Sequence, residues 1–156
     1  MPTRALELFA GVGGGSLALK ASGIRTVAYC EIDPWCQTVL LTNMAKGRLD
    51  RAPIHPDVTT LSGEDLPRID MIAGGFPCLG LSSVGQRKGL YGDSRSALVK
   101  EVYRLIDETQ PNYVFLENTP RIVADRDYPR FLSDFRGRGY QCAFMVCSAS
   151  QVSAKH

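Results

Sequence analysis

The 156-residue chain reads as an α/β domain built on a doubly wound, mostly parallel sheet. Three observations predict this. Short apolar runs alternate with segments of helical spacing, as parallel strands and their crossover helices do. Glycine-rich or acidic turns follow several of those runs, at the strand ends where open α/β sheets gather ligand chemistry. The length suits one ordinary domain, and 44% hydrophobic with 22% charged residues is a globular composition.

Ala5 to Phe9 forms the first strand. Gly11-Val12-Gly13-Gly14-Gly15 breaks it, and Ser16 to Ser22 makes a short helix stopped by Gly23. Thr26 to Cys30 is the second strand, ending in Glu31-Ile32-Asp33. Asp33 is placed as a cap with Pro34 at the first helical position, and this second helix runs to about Met44. Its Trp35, the single tryptophan, is expected in core or cofactor-side packing. Positions 45 to 68 are less regular, with Asp57-Val58 closing a third strand. Ile69 to Ala73 is the fourth strand. Leu79 to Ser96 is polar and glycine-rich, a long loop of the kind that is more often functional than not. Ala97 to Glu108 carries helical spacing through Leu98, Val102, Leu105 and Ile106, and Gln110-Pro111 ends it. Tyr113 to Leu116 is a fifth strand, Tyr128 to Phe135 a helix, and Gln141 to Cys147 a sixth strand whose apolar pattern puts Cys142 and Cys147 in the core.

Charge and cysteine usage narrow the function classes. A net charge of +2 does not predict a polyanion partner, so nucleic-acid affinity must come from local arrangement. With neither a charged-then-apolar leader nor an apolar run of membrane-spanning length, the expectation is a cytoplasmic protein without a membrane partner. Five cysteines without zinc-type spacing predict reduced thiols and no metal site.

The candidate site gathers at strand ends. In Gly74-Gly75-Phe76-Pro77-Cys78, glycines admit a close neighbour and proline fixes φ before the thiol, which is how a nucleophile would be presented. A small buried hydrophobe is the alternative for Cys78. The glycine turn at 11–15 allows a nucleotide-bearing ligand to approach the backbone, and Glu31, about 20 residues on, is placed for ribose hydroxyls. That turn lacks the Gly-x-Gly-x-x-Gly spacing, and tight helix-on-strand packing accounts for it equally. Asp57 and Glu117 each follow a strand, where a carboxylate can accept hydrogen bonds from an amino group. A capping role for Asp57 and a solvated strand end for Glu117 stay open. Glu117 and Cys78 follow adjacent strands, so a nucleophile and an acid would share one crevice.

Taken together these motifs resemble the DNA cytosine-5 methyltransferases. Glu7-Leu8-Phe9-Ala10-Gly11-Val12-Gly13-Gly14 is similar to that family's first cofactor motif and Glu31-Ile32-Asp33 to its second. Gly74 to Cys78, with Ser82, Gly85, Gly89, Asp93-Ser94-Arg95 and Leu98, resembles the catalytic motif and active-site loop. Glu117-Asn118-Thr119 resembles the Glu-Asn-Val motif, and Ser148 to His156 the approach to the Gln-x-Arg-x-Arg segment. The resemblance implies a Rossmann-like S-adenosyl-L-methionine-dependent methyltransferase sheet. Methyl transfer would go from S-adenosyl-L-methionine to C5 of a cytosine flipped out of DNA, as in restriction-modification enzymes. It implies Cys78 as nucleophile with Pro77, Glu117 and Asn118 around it, and Phe9, Ala10, Gly11, Val12, Gly14, Glu31, Ile32, Asp57, Val58, Gly75 and Leu98 about the cofactor. Ser82, Gln86, Arg87, Lys88 and Arg95 would contact DNA, unless they form a plain solvated loop.

Departures from the family pattern are Leu79, where glutamine is usual, Leu81 for phenylalanine and Thr119 for valine. Residues 1–156 are expected to be a partial catalytic domain. The arginine pair, the seventh strand, the target-recognition domain and the last motifs are not among them. That predicts an incomplete sheet with an apolar slot, completed by a second chain in a split enzyme or lost in a truncated one. The expected setting is a prokaryotic or phage-like cytoplasm, or the nucleoid. A non-catalytic cofactor-binding or regulatory remnant, a methyltransferase half acting on RNA, and another kind of thiol enzyme are the alternatives. The last is disfavoured because only His55 and His156 are available as bases.

Overall fold

A computed structural model describes residues 2–77, 98–148 and 151. Five parallel strands form its sheet: β1 (Arg4–Leu8), β2 (Arg25–Cys30), β3 (Ile54–His55), β4 (Met71–Gly74) and β5 (Tyr113–Leu116), in the order β3-β2-β1-β4-β5. Among the described residues, α1 (Gly14–Ala21) lies between β1 and β2, α2 (Pro34–Ala45) between β2 and β3, and α3 (Val99–Thr109) between β4 and β5, while α4 (Tyr128–Arg136) follows β5. Among the described residues no helix is long and apolar enough to cross a membrane.

Alternation along each strand divides the core between two faces. Leu6, Leu8 and Ile72 meet Val99, Val102, Leu105 and Ile106 of α3 and Phe131 and Phe135 of α4 in the larger cluster. Edge-on aromatic contacts tie that cluster together: the Tyr103 and Phe135 rings lie 5.1 Å apart, as do those of Phe131 and Phe135. The opposite face carries Ala5, Tyr29 and Ala73, which meet Leu19 of α1 and Leu40 and Met44 of α2. The helices thus cover both faces, as the doubly wound reading requires.

Local chemistry accounts for the element ends. Asp33 accepts from the amides of Trp35 (2.8 Å) and Cys36 (3.0 Å), and Pro34 starts α2, as the sequence predicts. Helix α1 begins at Gly14, two residues before the predicted Ser16, because the buried Glu7 carboxylate accepts the Ser16 amide at 2.9 Å. The third strand ends at His55, not at Asp57-Val58. Pro56 has no N–H to continue the ladder, and Asp57 turns the chain by accepting the Thr60 and Leu61 amides on its carbonyl (3.2 and 3.1 Å).

The predicted sixth strand is not formed. Residues 141–148 belong to no strand, and Cys147 is exposed, while Cys142 is half-buried against the edge of the main cluster. An extended segment forms a strand only by pairing with a neighbour's edge, and among the described residues β5 is the last strand on that side of the sheet. Trp35 is likewise not in the core, being 68% exposed.

Ile72 is fully buried on β4 between β1 and β5. Ile72→Ala is expected to lower the unfolding free energy by about 2–5 kcal/mol, read from urea denaturation; a loss under about 1 kcal/mol would contradict its place at the centre of the core.

Candidate functional site

The turn after β1 is shaped by backbone conformations that side chains resist. Phe9 (φ 54°), Gly11 (φ 53°) and Gly13 (φ 90°) are all left-handed. At Gly13 the left-handed backbone strains any L side chain, and a Cβ 2.5 Å from Leu49 Cδ1 and 2.9 Å from Leu40 Cδ2 would push those leucine ends aside. At Gly11 and Gly14 a Cβ would meet nothing within 4 Å, so this side of the turn is open.

Glu31 ties that turn to the next. Its buried carboxylate accepts the Gly11 amide at 2.6 Å and the Asp33 amide at 2.8 Å, and its carbonyl accepts from Gln37 Nε2 at 2.6 Å. Around it stand exposed apolar side chains, Val12, Ile32 (72%) and Trp35. A carboxylate with unfilled lone-pair positions, an open glycine turn and exposed apolar surface are what a nucleoside needs for its hydroxyls, its backbone approach and its base. The residues present therefore fit such a group.

Asp57 closes one side of this edge. Cys30 pairs with His55, and the Glu31 amide donates to the His55 carbonyl (3.0 Å), so Glu31 and Asp57 leave neighbouring strands together. The Asp57 Oδ1 accepts from the Thr59 amide (2.9 Å) and hydroxyl (2.8 Å), and these bonds hold its carboxyl below the usual carboxylate range. The capping role left open by the sequence is thus real, and Oδ2 takes no hydrogen bond among the described residues. Val58 is buried in the main cluster, and Leu98 packs against it half-exposed. Burial, with Asp57 and Glu31 nearby, pushes the Cys30 thiol up to about 12, so it stays protonated and unreactive.

The third group follows β4 and β5. Gly74 pairs with Leu8 on one side and with Leu116 on the other, and the Glu117 amide donates to the Gly74 carbonyl (3.0 Å). Glu117 is exposed, and a Cβ on Gly75 would lie 2.9 Å from its Oε2. Asn118 Nδ2 donates to the Phe76 carbonyl (2.9 Å), while its Oδ1 accepts the Thr119 amide (2.8 Å). Asn118 therefore braces the turn immediately before Pro77. Cys78, Ser82, Gln86, Arg87, Lys88 and Arg95, and the long loop expected at 79–96, lie outside the described residues.

A cavity of about 470 Å³ lies between α1 and the β4–β5 half of the sheet, lined by Glu7, Phe9, Ala18, Gly75, Phe115 and Glu117 among others. Glu7 is the residue that sequence reasoning read only as part of a motif. It is 3% exposed, accepts the Ser16 amide and hydroxyl, and leaves no room for a Cβ on Gly15, which would stand 2.3 Å from its Oε1. The signal for it was an acid between Leu6 and Leu8, whose side chain must turn to the opposite face.

Known proteins supply the remaining observations. A family model for C-5 cytosine-specific DNA methylase matches residues 3–155. The chain is 37% identical over 158 residues to the type II methyltransferase M.CviJI of Paramecium bursaria Chlorella virus IL3A, covering 100% of this chain and 41% of that protein. It is 35% identical over 121 residues to the type II methyltransferase M.HhaI of Haemophilus parahaemolyticus, covering 78% and 35%. The chain therefore spans well under half the length of these curated relatives. Among solved structures, a DNA modification methyltransferase encoded within a prophage (E. coli) superimposes with a TM-score of 0.68 at 29% identity, over 86% of this chain and 37% of that one. The Entamoeba histolytica methyltransferase EhMeth shares the fold with a TM-score of 0.77 at 16% identity, over 97% and 49%.

Burial raises the Glu7 pKa, against the lowering effect of its Ser16 hydrogen bonds. The fold then favours its protonated form, so its contribution to stability is greatest below the unfolded value of 4.5 and is lost as pH rises through the folded value. Relative to Glu7→Gln, the wild-type denaturation midpoint should fall progressively above pH 4.5. A difference independent of pH would show that the buried carboxyl pays no such penalty.

Proposed function

Because the chain belongs to the C-5 cytosine-specific DNA methylases, we propose that it carries their cofactor-binding and catalytic residues and acts on cytosine in DNA. The cofactor of this family is S-adenosyl-L-methionine, which when bound supplies an electrophilic methyl group. Glu31 receives its ribose, with Phe9, Ala10, Gly11, Val12 and Gly14 along the glycine turn and Ile32, Asp57 and Val58 at the base. By the family resemblance Gly75 and Leu98 would lie near the cofactor as well.

Cytosine C5 is too poor a nucleophile to accept a methyl group directly. Cys78, as thiolate, adds to C6 and turns C5 into an enamine-like carbon, dividing one difficult step into two easier ones. After C5 is alkylated, loss of its proton expels the thiolate and restores the aromatic ring. Glu117 contacts N3 and the exocyclic amine, offsetting the charge that builds in the ring. Asn118, through the Phe76 carbonyl, holds the Pro77 turn that presents the thiol. The target base must first leave the duplex, at a cost of a few kcal/mol. Ser82, Gln86, Arg87, Lys88 and Arg95 then serve the flanking strand and its phosphates.

The observation that supports this reading most is that Glu117 lies close beside Gly75, two residues before Pro77: a Cβ built on that glycine would stand 2.9 Å from Glu117 Oε2. The acid and the nucleophile's turn share one crevice.

In the relatives more than half of the length lies outside the matched part. Residues 1–156 alone are therefore expected to leave DNA unmethylated, with activity returning when the family's remaining residues are supplied on the same or a second polypeptide. With those residues present, DNA carrying 5-fluorocytosine should trap a covalent complex that survives denaturation. Cys78→Ser should abolish the trap; trapping that persists in that variant would refute Cys78 as nucleophile. Normal turnover by the 156 residues alone would refute the need for a complement.

A further inference from the structure

Arg104 lies on α3 and is not among the cofactor or catalytic residues named above. Its guanidinium reaches across to the segment after β3. Nη2 donates to the Val58 carbonyl at 2.8 Å, and Nη1 to the Leu61 carbonyl at 2.9 Å and to Glu108 Oε1 at 2.8 Å. Nε donates to Glu101 Oε2 at 2.8 Å. Glu108 extends the latch, its Oε2 accepting the Gly63 amide at 2.7 Å.

The segment so held is a single hydrogen-bonded unit. The Asp57 carbonyl accepts the Thr60 and Leu61 amides, and Thr59 fixes Asp57 Oδ1. Within the unit the carboxylate is therefore oriented by Thr59. Where the unit stands relative to the sheet is a separate matter, because β3 is only two residues long. Arg104 settles it by gripping the carbonyls on either side of the turn while its own orientation is set by two carboxylates on the same helix. A planar fork with several donors can span two carbonyls and two acids at once; an ammonium cannot.

We propose that Arg104 is a positioning residue for the purine end of the cofactor, setting where the Asp57 carboxylate stands and hence the preference for an amino group over a carbonyl on the base. The inference rests on the reading of Asp57 as a base contact. A carboxylate accepts from the exocyclic amine of adenine and repels the carbonyl oxygen of hypoxanthine, so displacing it costs selectivity before it costs ribose or backbone contacts.

Calorimetric titration of the full chain with S-adenosyl-L-homocysteine and with its inosine counterpart tests this. The unmutated chain should prefer the adenine compound by about tenfold or more. In Arg104→Met that preference should collapse toward unity, through a loss of adenine-compound affinity with the inosine compound changed less than about twofold. Arg104→Lys, which keeps the charge beside Glu101 and Glu108 but cannot span both carbonyls, should show a smaller selective loss and keeps the test readable if methionine is not tolerated. Affinity for both compounds falling in parallel in either variant would make Arg104 merely structural and overturn the inference, as would unchanged selectivity. No preference in the unmutated chain would overturn the Asp57 reading beneath it, and binding of neither compound the cofactor reading itself.

Discussion

The close approach of β4 to the end of β1 is the constraint on which the other features depend. Gly74 pairs with Leu8, and a Cβ at Gly74 would stand 2.2 Å from the Leu8 carbonyl oxygen, a backbone atom that cannot swing away. Only glycine permits this register to continue to the strand end. Because it does, the turn carrying Phe9 and Gly11 and the turn carrying Gly75 to Pro77 emerge side by side. On the far side Leu116 pairs with Gly74, which delivers Glu117 to the same edge. One missing side chain thus brings the glycine turn after β1 and the Gly75–Pro77 turn together.

Four carboxylates then divide the work according to their surroundings. Glu7 is buried beneath α1, where it accepts the Ser16 amide and hydroxyl, and it sets where the helix begins. Glu31 is also buried, but its two oxygens accept amides from two different turns, so it fixes the distance between them. Asp57 has one oxygen committed to its own turn, and the other takes no hydrogen bond among the described residues. Glu117 is exposed beside a glycine. Complete partnering suits a buried acid such as Glu7 to structure, while lone-pair positions that the described residues leave unfilled, as at Glu31, suit one to a ligand.

Much of this was legible in the residues because the relevant signals are local. The strand Tyr113–Leu116 and the Asp33-Pro34 start of α2 are found where alternation and capping put them. The parallel, doubly wound class followed from the order of apolar runs and helical spacing. What was not legible depends on partners distant in sequence. The run from Gln141 to Cys147 has a strand's composition, yet a strand exists only against a neighbouring edge, and residues 141–148 pair with none among the described residues. The third strand stops early at Pro56, a signal that was present but outweighed by the apolar Val58. Of the two places expected for Trp35, the core is excluded by its exposure, and the first turn of α2 faces outward beside Glu31. The burial of Glu7 was visible only as an acid in an apolar strand, and its partner Ser16 is supplied by the next element.

The central claim is that one sheet edge holds the cofactor between Glu31 and the glycine turn while Glu117 faces the target from beside Gly75. A crystal structure of the chain with S-adenosyl-L-homocysteine tests it most directly. The account predicts the ribose hydroxyls within hydrogen-bonding distance of the Glu31 carboxylate, the base beside Ile32 and Asp57, and the sulfur directed toward Gly75 and Pro77. A ligand seated elsewhere, with Glu31 bound only to the Gly11 and Asp33 amides, would contradict it.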